Sequence, residues 1–300
     1  MPKTSLGPDY IGIGAMKAAS GWIFKCLELH PEVGDSEWSK ELHFFNKSYN
    51  YEKGIEYYYS LFSQHPKGKF KGEFTPAYMA SPQVASLIHK HLPNVKIIAC
   101  LRNPAERAYS HYRYNIQERG RFRVYKSFED TIRKDEIIIE RGFYYKQLKP
   151  YFDLFPRDNI LILFFEDIKN NPKEVVHKLY KFLGLKDENY IPPSLINRRR
   201  SITGAYVIKI KFPLLNLLVF WLNSIIKKEG SFRKLTNKFK LEKLYLKFQR
   251  FNRKEITGKN IKALSVPPLS QSDREYLLKI YKNDIQNLEK LLNKDLSFWN

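Results

Sequence analysis

Short apolar runs alternate with stretches of helical spacing along the first two thirds of the chain. Tyr10–Ile13 is an apolar run that reaches Gly14 and reads as a strand. Ser20–His30 follows with helical spacing and stops at Pro31. Val95–Leu101, VKIIACL, and Ile160–Phe165, ILILFF, are continuous apolar runs, as a strand covered on both faces carries. Pro104 opens a helix after the first of these. Tyr144–Phe155 has helical spacing and leads into the second. Pro172 then opens a helix that ends near Gly184, the proline-first, glycine-last asymmetry of helices. Buried strands alternating with helices predict an α/β fold with a parallel sheet. Ligands of such sheets sit beyond the carboxyl ends of the strands. Gly14–Lys17, Arg102 and Glu166 all stand just past one.

The pattern changes after Leu185. IPPSLINRRRSITG is loop-like and basic. Phe212–Ile226 is the longest apolar stretch, but it is shorter than the ~20 residues of a membrane span and contains two Asn and one Pro. Lys238–Phe251, KFKLEKLYLKFQRF, fits a basic amphipathic helix that either packs on the domain or faces a polyanion or a membrane surface. Pro267–Asn293 reads as a Ser-capped helix with apolar positions at Leu277, Leu278, Tyr281, Ile285 and Leu288, packing back on the sheet. With no repeat or linker in view, residues 1–300 are expected to form one domain containing a basic helical segment at about 205–260. MPKTSLGPDY contains no apolar signal region, so a cytoplasmic protein is expected, with peripheral membrane contact through 212–254 as an option.

Composition gives this picture a direction. The 300 residues are 43% hydrophobic and 15% aromatic, as in a globular protein. A formal net charge of +21 favours anionic partners: nucleotides, anionic glycans, nucleic acid or lipid. Cys26 and Cys100 form no disulfide framework and no metal-ligand set is apparent, so no metal is expected.

Three motifs carry chemistry. GAMKAASG, Gly14–Gly21, joins a strand to a helix through small residues, so its backbone can approach an anion at the helix start. Its lysine precedes the second glycine, which is not the G-x-x-x-x-G-K order of a nucleoside-triphosphate loop. LRNPAERAYSHYRY, Leu101–Tyr114, sets Arg102 at a strand end and Ser110 on the next helix, suited to a second phosphate; the same spacing also suits an Arg102–Glu106 ion pair. SKELHFF crowds Lys40, Glu41 and His43 together, and a carboxylate there can act as a general base.

Together these motifs resemble the sulfotransferases that use 3′-phosphoadenosine 5′-phosphosulfate (PAPS), in particular the branch with the heparan sulfate N- and 3-O-sulfotransferase domains and their bacterial relatives. The segment L-R-N/D-P-x-E/D-R-A/T-Y-S of that family is met at every position from Leu101 to Ser110. K-E-x-H-F-F is met by Lys40–Phe45, and GEFTPAY, Gly72–Tyr78, resembles E-K-S/T-P-x-Y. The resemblance implies a P-loop-like three-layer fold, with a central parallel sheet flanked by helices. It implies in-line transfer of a sulfuryl group from PAPS to a hydroxyl or amine, on a carbohydrate acceptor, leaving adenosine 3′,5′-bisphosphate. Lys17 would stabilise the leaving group, Glu41 would be the base, and His43 would orient it or line the acceptor cleft. Gly14, Lys17, Ala18, Ala19, Ser20, Gly21 and Trp22 would form the donor loop. Arg102 and Ser110 would hold the 3′-phosphate, joined by a late basic loop in the region of Arg198 and Arg200. The acceptor is expected to be a glycan, and no nucleic acid is expected. Three positions depart from the family pattern: Ala19 for Gly, Gly21 for a hydroxyl residue and Phe74 for Lys. The alternatives are a P-loop small-molecule kinase and a non-catalytic module binding anionic glycan or nucleic acid.

Overall fold

Four parallel strands form the centre of the molecule in the order β2-β1-β3-β4. In this computed structural model the described residues are 7–34, 41–63, 69–119, 127–186, 189–190, 207–210, 253–256 and 267–299. β1 (Tyr10–Gly14) leads to α1 (Ser20–Glu28), α2 (Ser48–Tyr51) and α3 (Ile55–Ser60). β2 (Gly72–Phe74), α4 (Val84–His91) and β3 (Lys96–Leu101) follow. Next come α5 (Pro104–Arg119), α6 (Phe128–Lys134), α7 (Glu136–Glu140) and α8 (Tyr144–Leu154). β4 (Ile160–Phe164), α9 (Phe165–Asn170) and α10 (Pro172–Leu183) complete the part around the sheet. β5 (Val207–Ile210), β6 (Arg253–Ile256) and α11 (Gln271–Leu292) come last.

The central strands behave as their apolar runs predict. Tyr10, Ile11 and Ile13 of β1 and Ile97–Leu101 of β3 are all buried. β4 is an edge strand, and its first three residues are only half-buried. β2 is three residues long, too short for any periodicity, and is the strand the apolar pattern does not reveal. It lies against β1 with Tyr10 opposite Gly72 and Gly12 opposite Phe74. A side chain at position 12 is excluded there, because a Cβ would stand 2.1 Å from the Phe74 ring.

Helices flank the sheet. α1 packs on α10, whereas α8 packs on α4 and α11, and α11 also on α5. α10 begins with Pro172 under an Asn171 cap, whose Oδ1 accepts from Glu174 N–H, and ends at Gly184 with φ 70°. The Ser270 hydroxyl likewise caps α11 by accepting from Asp273 N–H at 3.1 Å. α8 has no local side-chain cap. Its first amides, Tyr145 and Lys146 N–H, donate instead to the buried Asp284 carboxylate of α11 at 2.9 and 3.1 Å.

Lys40, Arg198, Arg200 and the stretch from 212 to 252 lie outside the described residues. The two ends of the segment read as helical pair instead as antiparallel strands, with Val207 opposite Ile256. The β-branched Val207, Ile208 and Ile210 favour that conformation, but a partner so far along the chain is invisible to a local pattern.

Candidate active site

β1 delivers the chain into the Gly14–Gly21 loop at the carboxyl edge of the sheet. Two non-glycine residues of the loop adopt left-handed backbone, Lys17 with φ 69° and Ala19 with φ 62°. Ala19 is also the N-cap of α1 and has no side chain to cap it with. Ala18 N–H is bonded to the Ala15 carbonyl at 3.3 Å and Trp22 N–H to that of Ala19 at 2.9 Å. These two amides therefore shape the loop, and Trp22 and Ala18 are themselves core residues. Ser20 and Gly21 begin α1, where amides without an i−4 partner and the helix dipole favour an anion. Gly21 is exposed, and a Cβ there would meet nothing within 4 Å. Lys17 Nζ sits 3.6 Å from the centroid of the Tyr114 ring, on the same helix as Ser110 and one turn beyond it.

The left-handed turn explains why glycine suits position 19, and it makes a prediction. Ala19→Gly removes a Cβ from αL backbone at an N-cap, so the variant is expected to be more stable by about 1 kcal/mol. Denaturant unfolding reads this directly, and a destabilised variant would refute the turn geometry.

The second element is the Glu41–His43 loop. Glu41 Oε2 lies 3.4 Å from His43 Nε2, and His43 Nδ1 is 3.2 Å from Asn46 Oδ1. His43 is left-handed, φ 54°, which is tolerated because its surroundings hold it. Its N–H donates to Thr75 Oγ1 at 3.3 Å, and Asn50 Nδ2 donates to the carbonyls of both Leu42 and His43 at 3.2 Å. The anchor of the whole arrangement is Glu73 on β2, a residue of the GEFTPAY segment to which the motifs give no role of its own. Its buried carboxylate accepts from Tyr58 Oη at 2.8 Å, Tyr78 Oη at 2.9 Å, Thr75 Oγ1 at 2.6 Å and Leu42 N–H at 3.2 Å. Tyr78 Oη in turn accepts from Phe44 N–H at 2.9 Å. Burial pushes the Glu73 pKa up, against the opposing pull of these hydrogen bonds. The signal in the sequence was a lone Glu between Gly72 and Phe74, with Thr75 and Tyr78 at its heels.

Arg102 follows β3. Its guanidinium donates to Glu106 Oε2 at 3.2 Å and lies 4.4 Å from the centroid of the Phe165 ring, and burial lowers its pKa. The ion pair kept open by the spacing is thus formed, in a part-buried setting. The main chain of the turn is gripped on all sides. Tyr144 Oη donates to the Arg102 carbonyl at 2.8 Å, and Asn103 N–H donates to Glu166 Oε1 at 2.9 Å. Asn103 Oδ1 caps α5 by accepting from Ala105 and Glu106 N–H, while its Nδ2 donates to the Trp299 carbonyl at 2.5 Å. Ser110, two turns into α5, is half-buried.

Backbone hydrogen bonds stitch these loops together at one edge of the sheet. Thr75 N–H donates to the Gly12 carbonyl at 2.8 Å, Met79 N–H to that of Ile13 at 2.9 Å, and Ala15 N–H to that of Cys100 at 2.7 Å. The segment after β2 is thereby joined to β1, and the segment after β1 to β3. The family model for the sulfotransferase domain matches residues 8–197, which include all three. The chain belongs to this sulfotransferase family.

The chain is 29% identical over 185 residues to heparan sulfate glucosamine 3-O-sulfotransferase 3B1 of Mus musculus, covering 60% of this chain and 46% of that one. It is 25% identical over 319 residues to the membrane-associated sulfotransferase kil1 of Dictyostelium discoideum, covering 98% of this chain and 67% of that one. The chain spans about half the length of the mouse relative it matches. Among solved structures, a sulfotransferase from Alicyclobacillus acidocaldarius superposes with a TM-score of 0.65 at 20% identity, covering 97% of this chain and 98% of that one. That likeness extends the shared fold well beyond the matched domain, into α11. No helix of the sulfotransferase, among the described residues, is long and apolar enough to cross a membrane.

Proposed function

We propose that this sulfotransferase moves a sulfuryl group from PAPS to a hydroxyl or amine of a carbohydrate acceptor. The observation that supports the reading is the set of hydrogen bonds that ties the anion loop after β1 to β3, on whose end Arg102 stands, and the carboxylate–histidine loop to Glu73 and Thr75 of β2 and the turn after it. The names of the heparan sulfate relatives support a glycan acceptor. The donor fits the residues present. The open helix start at Gly21, the lysine beside it and the cationic turn after β3 match a nucleotide with anions at both its 5′ and 3′ positions. PAPS supplies an electrophilic sulfuryl group joined to a phosphate that leaves.

Within this site Glu41 takes the proton from the acceptor at its carboxylate, and His43, 3.4 Å away, orients it. The side chain of Glu41 is 41% exposed, so an acceptor can reach it. Lys17 places its ammonium where negative charge grows on the leaving oxygen. Ser20 and Gly21 hold the 5′ end at the start of α1, with Gly14 and Ala19 shaping the loop. Arg102 and Ser110 hold the 3′-phosphate. The resemblance also implies a basic loop in the region of Arg198 and Arg200 beside the donor, and peripheral membrane contact through 212–254 is an option alongside packing on the domain.

Calorimetry with adenosine 3′,5′-bisphosphate in the absence of magnesium tests the donor. Tight binding is expected; a preference for magnesium-ATP would establish the kinase alternative instead. Arg102→Ala is expected to weaken the bisphosphate by about 2–4 kcal/mol and to leave adenosine 5′-monophosphate nearly unchanged. Equal losses for both nucleotides would make Arg102 a structural residue.

A further inference from the structure

Arg102 is an awkward phosphate ligand as it stands, because a carboxylate already occupies it. Glu106 Oε2 accepts from Arg102 Nη2 at 3.2 Å. A dianionic phosphate arriving at that guanidinium meets the charge of Glu106 beside it, and like charges in a part-buried site repel strongly. Glu106 is shared, however. Its other oxygen, Oε1, accepts from Arg274 Nη1 on α11 at 2.8 Å, the shorter of the two contacts. All three side chains are part-buried, so the charges are incompletely screened by solvent. Arg102 Nε is buried and finds no hydrogen-bond partner among the described residues, so the guanidinium is held with donor capacity in reserve.

We propose that Arg274 is a positioning residue for the donor site, acting as the counter-ion that holds Glu106 while Arg102 engages the 3′-phosphate. Glu106 bridges two arginines. When a phosphate takes Arg102, Glu106 keeps a full partner in Arg274, and no carboxylate is left unpaired. The stretch 267–299 is fastened for this task. Tyr109 Oη of α5 donates to the Pro267 carbonyl, and Asn103 Nδ2 donates to the Trp299 carbonyl. The fully buried Trp299 ring packs 5.9 Å from both the Tyr144 and the Phe164 rings. A segment beyond the matched domain, which ends at residue 197, therefore completes the donor site.

The inference rests on the reading of Arg102 as the 3′-phosphate ligand, and the test separates the two. Affinities for adenosine 3′,5′-bisphosphate and adenosine 5′-monophosphate are measured for the full chain and for Arg102→Ala, Arg274→Ala, Arg274→Lys and the double variant Glu106→Gln/Arg274→Ala. Arg274→Ala is expected to weaken the bisphosphate about tenfold, the scale of one charge-assisted hydrogen bond, and to spare the monophosphate. Arg274→Lys retains most of the affinity. The double variant recovers it, because the carboxylate that competes with phosphate is gone. A merely structural arginine would not be rescued by removing Glu106. No bisphosphate-specific loss in Arg274→Ala, or no recovery in the double variant, overturns the proposal. Equal losses for both nucleotides in Arg102→Ala overturn the underlying assignment instead.

Discussion

Lys17→Ala is expected to lower turnover by about 100-fold or more, the usual cost of removing one transition-state charge donor. The ammonium belongs to the strand–loop–helix segment, on a residue with left-handed backbone, and the Tyr114 ring supports it at 3.6 Å. Its effect falls on the step in which charge moves to the leaving oxygen, so kcat suffers more than the KM for the donor. Lys17→Arg keeps the charge but not its position and should fall between the two. Steady-state kinetics with labelled PAPS decide the matter, and near-normal turnover in the alanine variant would remove Lys17 from the mechanism.

Glu41→Gln is expected to abolish most transfer, by about 10²- to 10⁴-fold, while the variant still binds adenosine 3′,5′-bisphosphate. The substitution preserves shape and removes only the proton acceptor. The loop should survive it, because its geometry depends on Glu73, Thr75, Asn50 and Tyr78 rather than on the Glu41 carboxylate. Donor affinity measured alongside turnover therefore separates lost chemistry from lost structure. A fully active variant would place the base elsewhere, with His43 next to test.

Much of the site could be read from local pattern. The apolar runs at Tyr10–Ile13 and Val95–Leu101 locate two central strands, and Lys17 and Arg102 stand just past their carboxyl ends, the edge where parallel sheets take ligands. Ala19 was marked as a departure from glycine in the family pattern, and its φ of 62° gives the reason. The pairing of Glu41 with His43 needed only their two-residue separation. Other features depend on contacts that local pattern does not show. Trp22 N–H, in the expected donor loop, goes to the Ala19 carbonyl. β2 is too short to show a period, so Glu73 was not recognised as a buried anchor.

The chain's own order of residues determines strands β1, β3 and β4, the loop, the helix caps at Asn171 and Ser270, and which residue types stand at the ends of those strands. Those follow from interactions within one turn or one pleat, the range over which hydrophobic period and capping act. Tertiary structure alone decides what a polar side chain meets across the sheet. It brings Leu42 N–H to Glu73, Asp284 to the uncapped start of α8, and Arg274 to Glu106 from 168 residues away. A carboxylate withdrawn from water must find donors wherever packing supplies them, and packing joins segments that share no local pattern.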